Sequence, residues 1–413
     1  MTVVLSRPYQ FVDAHRSDWW PWLIQRLRLI DWHLRRRESV MDYELRHADR
    51  LSQSLAAGHG ILLAPNHCRY ADPIVLGWLA RHVHTHLFAM ASWHLFNKNA
   101  FERFALRRMG AFSILREAND RQSLETAINA LADANRPLAI FPEGTTNRTN
   151  DALKPLLDGV TFIARAAARR RAKANGGKLV MHPIGIKYVC AGDARQWAHE
   201  QLSDLESALC FRRNRNCSAE HLMRRLAKVA EAYLALKEIE YTGTSSEGPL
   251  PQRRDALMAS LLDDCEARAS VTADHDEGVR DRVRKIRAAV HKQYFDHEPS
   301  ELKIEEATEI AQQADLAQFL LSFPDEYMIP GQVTDTQVVE TIQRIQEVVY
   351  GKARDTMPLK VIIDVDDAIV VPPEKAPRNP TGGRDPLLCQ LDQRLRTMVG
   401  NLATEARPFV DES

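Results

Sequence analysis

The sequence predicts an α/β fold, a mixed sheet flanked by helices and interrupted by a large helical insertion. Three observations predict it. Between residues 60 and 190, short apolar runs alternate with helical patterns, the order that builds a layered sheet with its sites at the strand ends. Residues 195–350 are instead long, charged and helical in pattern. Strand character then returns at 359–371, LKVIIDVDDAIVV. A strand this late pairs back onto the first sheet, so the helical block is inserted and not appended.

The elements follow in order. Residues 19–37, WWPWLIQRLRLIDWHLRRR, place Trp19, Trp20, Trp22, Leu23, Leu27, Ile30 and Leu34 at helical spacing. Arg26, Arg28, Arg35, Arg36 and Arg37 stand against Asp31 alone. Tryptophan with arginine is the composition of an interfacial helix on anionic lipid; the same stripe could also dock on the protein's own core. Strands are predicted at 61–64, 86–91, 111–115, 138–141 and 179–186, and helices at 73–81, 120–134 and 159–174. The tail carries a Pro/Gly-rich loop, PPEKAPRNPTGG, and a helix near 385–403. The predicted organisation is an amphipathic basic helical region over 1–50, a core over 51–190, an acidic helical insertion over 191–356, a returning strand over 357–373 and a loop with helix over 374–413.

Of the 413 residues, 55 are Lys or Arg and 55 Asp or Glu, and the resulting zero net charge hides a split. Residues 60–190 carry 18 basic and 9 acidic side chains, whereas 191–413 carry 28 and 39. Such asymmetry suggests a polyanion or membrane partner for the basic half. A hydrophobic content of 45% with a mean hydropathy of −0.36 excludes a disordered or collagen-like chain. Six scattered cysteines, none in a C-x-x-C pair, point to a reducing compartment without a disulfide framework or zinc module. The first residues lack the pattern of a signal peptide, and no run reaches the roughly 20 apolar residues of a membrane span. Membrane contact is therefore expected to be peripheral.

Four segments carry candidate chemistry. Asn66-His67-Cys68-Arg69-Tyr70-Ala71-Asp72 follows the strand GILLAP. A carboxylate five residues after a histidine at a strand end can fix the imidazole tautomer and stabilise its cation, leaving the other nitrogen to take a hydroxyl proton. Asp72 before Pro73 also suits a helix cap. Cys68 raises a Cys/His nucleophile, but adjacent residues in an extended loop point their side chains apart. The second segment, Phe141-Pro142-Glu143-Gly144-Thr145-Thr146-Asn147-Arg148, suits phosphate oxygens through its backbone amides, threonines and arginine. The third, Gly110-Ala111-Phe112-Ser113-Ile114-Leu115-Arg116, ends a strand in a guanidinium fit for phosphate. The fourth is the apolar strand His182-Pro183-Ile184-Gly185-Ile186.

In this order and spacing the four segments resemble the glycerolipid acyltransferases, the 1-acylglycerol-3-phosphate acyltransferase family, with its N-H-x4-D, G-x-[IF]-x-x-x-R, F-P-E-G-T and apolar proline blocks. The resemblance covers roughly residues 55–190. It implies acyl transfer from acyl-CoA or acyl carrier protein to the hydroxyl of 1-acylglycerol 3-phosphate, with no cofactor beyond the thioester co-substrate and no metal. It implies His67 as general base, Asp72 as its support, and Arg116, Glu143, Gly144 and Thr145 as the holders of the glycerol phosphate. Arg69 and Arg148 join the expected acceptor site. Two departures rearrange its charge: Thr146 stands where the family often has arginine, and Arg69 where many members have serine.

Alternative acceptors are another lysophospholipid, glycerol 3-phosphate, or an amine or hydroxylated lipid. A non-catalytic lipid-binding scaffold is the alternative from another class. The expected location is cytoplasmic, at the inner face of the membrane through residues 19–37. Nucleic acid is not an expected partner, since no recognised binding module is present. His82, His84 and His86 are read as a half-exposed strand in preference to a zinc site, Asp364, Asp366 and Asp367 as a solvated strand end, and residues 165–173 as a basic helical face.

Overall fold

A computed structural model describes residues 8–117, 120–174, 176–211, 222–272, 277–296, 304–325, 327–329, 331–354, 356–374 and 384–410. Cys217 and most of the Pro/Gly-rich loop, residues 375–383, lie outside the described residues.

The chain opens with α1 (Trp19–Arg26) and α2 (Leu29–Arg37). The single helix expected over 19–37 is broken at Arg28, whose φ of 53° lies in the left-handed region. The break turns α2 onto the core. Its Leu34 is buried, and Asp31 takes a two-pronged bond from Arg81 at 2.5 and 3.1 Å. Trp19, Trp22, Leu27, Leu29 and Trp32 remain exposed. A second correction concerns 1–50, which is not wholly helical: Val40–Arg46 forms strand β1. Its sequence, VMDYELR, alternates charge with apolar side chains, as suits a sheet edge.

There follow α3 (Ala48–Ala56), β2 (Gly60–Pro65), α4 (Asp72–His82), β3 (Phe88–Ser92), the 3₁₀ turn Trp93–Asn97, α5 (Ala100–Arg108), β4 (Ala111–Ile114), α6 (Arg121–Asp133), β5 (Leu138–Ala139), α7 (Gly159–Lys173) and β6 (Leu179–Cys190). β3 begins two residues later than expected. His82 belongs to the last turn of α4, and His84 has a φ of 54°, so these histidines do not share the face of a strand. On α7, Arg165 and Arg171 are turned inward, Arg165 to Asp385 and Arg171 to the carbonyls of Gly58 and Ala132. Only part of that basic face meets solvent.

The helical block comprises α8 (Ala194–Ala208), α9 (Leu222–Thr242), α10 (Leu250–Arg268), α11 (Val279–Asp296), α12 (Ile304–Leu320) and α13 (Asp335–Tyr350). The chain ends with β7 (Leu359–Val365), β8 (Ile369–Val370) and α14 (Pro386–Ala403).

The described strands form one sheet in the order β1-β7-β6-β2-β5-β3-β4, with β8 beside β6. β2 through β6 are mutually parallel; β7 runs antiparallel to β6 and parallel to β1. Period-2 alternation divides the core. Ile61, Leu63, Val180 and Ile184 face α4, α8, α9 and α13, while Leu62, Ala64, Leu179 and Met181 face α6, α7 and α14. The helical block is thereby split. α8, α13 and the first half of α9 complete one layer of the main core, whereas α10, α11 and α12 pack about their own cluster of Leu261, Leu262, Ile286, Val290 and Ala314. Asp364, Asp366 and Asp367 are paired rather than merely solvated, with His47, Arg50 and Arg394. Among the described residues no helix is long and apolar enough to cross a membrane.

Candidate active site

Because β2, β5, β3 and β4 are neighbours and parallel, their C-terminal ends lie along one sheet edge, where open α/β sheets place their ligands. His67 follows β2, Phe141–Thr146 follow β5, His94 follows β3, and Arg116 follows β4.

His67 Nδ1 lies 2.8 Å from Asp72 Oδ2. A carboxylate accepts, so this contact places the proton on Nδ1 and leaves the Nε2 lone pair able to accept one. Nε2 faces the hydroxyl of Thr146 at 3.2 Å, and the ring lies against Phe141 with centroids 4.1 Å apart. Asp72 is fully buried. Its Oδ2 also accepts the Arg69 amide, and its Oδ1 accepts the Tyr188 hydroxyl, each at 2.8 Å. The carboxylate is used entirely in this way, and it makes no side-chain cap of α4. Beside it, the Cys68 thiol is buried, and burial followed by the Asp72 charge raises its pKa well above the usual value. A thiol held neutral there is no nucleophile.

The loop carrying His67 is braced from two sides. Asn66 exchanges both of its amide hydrogen bonds with the backbone of Ile186, at 3.0 and 2.7 Å. Glu143 accepts the His67 amide at 2.6 Å, the Lys154 amide at 2.8 Å and the Asn147 side chain at 3.1 Å. Asn147 in turn donates its amide to the His67 carbonyl at 2.7 Å. Glu143 was expected to hold the acceptor; the structure instead turns its carboxylate inward, where it positions His67. That is the sound electrostatic outcome, since a carboxylate facing a phosphate would repel it.

Gly144 has a φ of +72°, and a Cβ there would overlap Leu157. Glycine therefore serves both the turn and the close approach. The Thr145 hydroxyl is buried and has no hydrogen-bond partner among the described residues, which leaves a donor at the site.

The arginines divide. Arg69 was expected at the acceptor site, but its guanidinium reaches Gln343 of α13 at 2.8 Å and lies over the Tyr188 ring. Arg148 binds Glu347 of α13 and stacks 4.7 Å above the Tyr70 ring. Both are therefore engaged in fastening the core to the helical block. Arg116 follows β4 at the same sheet edge as the His67 loop. Burial pulls its pKa down to about 10, with Glu117, Arg287 and Tyr70 as its charged neighbours. Tyr70 is 56% exposed, and Arg148, Glu347, Asp315 and Arg116 all act on its phenol.

Tyr188 and His94 did not emerge from the sequence, and Asn147 entered only as part of its segment. Tyr188 lies two residues beyond the strand expected over 179–186. His94, drawn down to about 3 by burial and then by Arg116, carried no motif.

Residues 9–187 match the family model described as Acyltransferase, the family of glycerolipid acyltransferases. This part of the chain is a domain of that family, and the protein carrying it is an acyl-transferring enzyme. A comparison with curated proteins gave no match.

One expectation concerns Glu143 directly. Burial pushes its carboxyl up to about 7 from 4.5. The folded protein therefore keeps a proton that the unfolded chain gives up near 4.5. That contribution to stability is fully present below pH 4.5 and is lost as pH rises through about 7. Glu143→Gln should flatten the pH dependence of unfolding over this window, measured by denaturant titration. It should also lower kcat about 10- to 100-fold, the scale of a lost hydrogen bond to a charged group. An unaltered stability–pH curve would contradict the assignment.

Proposed function

We propose that the enzyme moves a fatty acyl group from acyl-CoA or acyl carrier protein to the hydroxyl of 1-acylglycerol 3-phosphate. The observation that carries this reading is the hydrogen-bonded His67–Asp72 pair at the sheet edge where Arg116 follows β4. The acceptor O–H gives its proton to His67 Nε2 while the oxygen attacks the thioester carbonyl. The C–S bond then breaks, and the imidazolium returns the proton to the departing thiolate. The products are an ester and a free thiol, with the acyl group passing directly between substrates. Asp72 holds the tautomer and stabilises the cation.

Arg116 supplies the phosphate contact, so Arg116→Ala should raise the KM for 1-acylglycerol 3-phosphate about 10- to 100-fold, as loss of a charge-assisted bond would. The acyl-donor KM should hold. A change confined to donor kinetics would remove Arg116 from the acceptor site.

We further propose that the protein sits peripherally on the cytoplasmic face of the membrane. The support is an aromatic platform: Trp19, Trp22 and Trp32 of α1 and α2 are exposed, and so are Phe101 and Phe104 of α5. Trp20 meets Phe104 edge to face at 5.3 Å, with Arg108 over both rings. Aromatic rings rimmed by arginine suit an anionic interface. Sedimentation with phosphatidylglycerol vesicles should weaken at high salt, and salt-independent association would reject the electrostatic part of this account.

A further inference from the structure

Beyond the family's own region, α11 belongs to the helical block, yet it reaches the catalytic loops. Arg280 donates to the Glu143 carbonyl and, at 2.9 Å, to the Pro155 carbonyl. These are the carbonyls of the loop that braces His67. Burial lowers the Arg280 pKa, as expected of a cation held against protein and not against water.

Seven residues on, Arg287 lies within about 20° of Arg280 around the helix axis and roughly 10 Å further along it. It is therefore on the face that α11 turns to the catalytic edge. Arg287 is only 8% exposed. One of its nitrogens is bonded to Asp315 of α12, while Nε is buried without a hydrogen-bond partner. Asp315 acts on the Tyr70 phenol, so the ion pair lies near Tyr70. Arg287 also acts on Arg116, as Glu117 does, and on His94. A buried guanidinium donor without a partner among the described residues, near a second guanidinium, is what a phosphate oxygen would satisfy.

We infer that Arg287 is a specificity-determining residue that binds the acceptor's phosphate opposite Arg116, so that the helical block completes the acceptor site. This rests on the phosphorylated acceptor proposed above. It gives α10–α12 a role in substrate choice, with Arg280 fixing α11 in place.

The test is steady-state kinetics with 1-acylglycerol 3-phosphate and, in parallel, the uncharged 1-acylglycerol. Arg287→Gln should raise the KM for the phosphorylated acceptor about 10- to 100-fold, with kcat and the KM for 1-acylglycerol little changed. Arg287→Lys should recover most of the loss. Asp315→Asn removes the ion pair but keeps the guanidinium, so its KM should stay near that of the unaltered enzyme. If Asp315→Asn reproduces the defect, Arg287 only joins helices and the inference is overturned. It is also overturned if Arg287→Gln folds and keeps its KM while the unaltered enzyme still prefers the phosphorylated acceptor; the proposed function then stands. If the unaltered enzyme shows no such preference, the proposed function and this inference fail together.

Discussion

Replacing His67 by alanine is expected to abolish acyl transfer while leaving the protein folded. In the proposed mechanism the imidazole receives the acceptor proton, and a positioned general base contributes roughly 10²- to 10⁴-fold in rate. The change is mild for the fold. The ring lies on the loop after β2, and its contacts are Asp72, Thr146 and Phe141. The buried Asp72 keeps the Arg69 amide and the Tyr188 hydroxyl as donors. The bracing bonds from Glu143 and Asn147 go to the His67 backbone and survive the substitution. The expected result is a fall in kcat of at least 10²-fold with an unchanged melting temperature. Full activity in His67→Ala would remove the base from the account.

Asp72→Asn should cost nearly as much, for a different reason. An amide facing His67 through its oxygen keeps the tautomer but loses the charge that stabilises the imidazolium. Facing through its nitrogen, it donates to Nδ1, drives the proton onto Nε2 and removes the base. Either arrangement also leaves one of the three donors poorly matched, because the amide presents one accepting oxygen where the carboxylate presents two. We expect kcat to fall about 10²- to 10⁴-fold with KM for both substrates nearly constant. A loss expressed in KM alone would mean that Asp72 shapes the cleft without supporting the base.

How much of this was legible in the sequence follows from sequence distance. His67 and Asp72 are five residues apart on one loop, so their pairing is a local matter and could be read directly. The parallel strands that bring Arg116 and the Phe141–Thr146 turn to the same edge were visible as apolar runs between helical patterns. The misread side chains of the site are long-range cases. Arg69 and Arg148 read as acceptor-site cations because their partners on α13, Gln343 and Glu347, lie 274 and 199 residues later. Glu143 read as a surface ligand because nothing local shows that its carboxylate turns toward three donors inside the protein. β1 was missed because an edge strand of alternating charge lacks the β-branched run that marks a central strand. The division of the helical block was equally hidden. Both parts share one composition, and only the packing shows that α13 joins the main core while α10–α12 keep their own.

The central claim is direct transfer, with His67 as base and no acyl group on the enzyme. Its most direct measurement is intact-mass spectrometry of the protein mixed with acyl-CoA alone, then with 1-acylglycerol 3-phosphate added, while thiol release is followed with a thiol reagent. The account predicts an unmodified protein mass throughout. It predicts thiol release that begins with the acceptor and matches the diacylated product one to one, and that is lost in His67→Ala. A protein mass increased by one acyl chain before acceptor is added, or acceptor-dependent thiol release undiminished in His67→Ala, would contradict it.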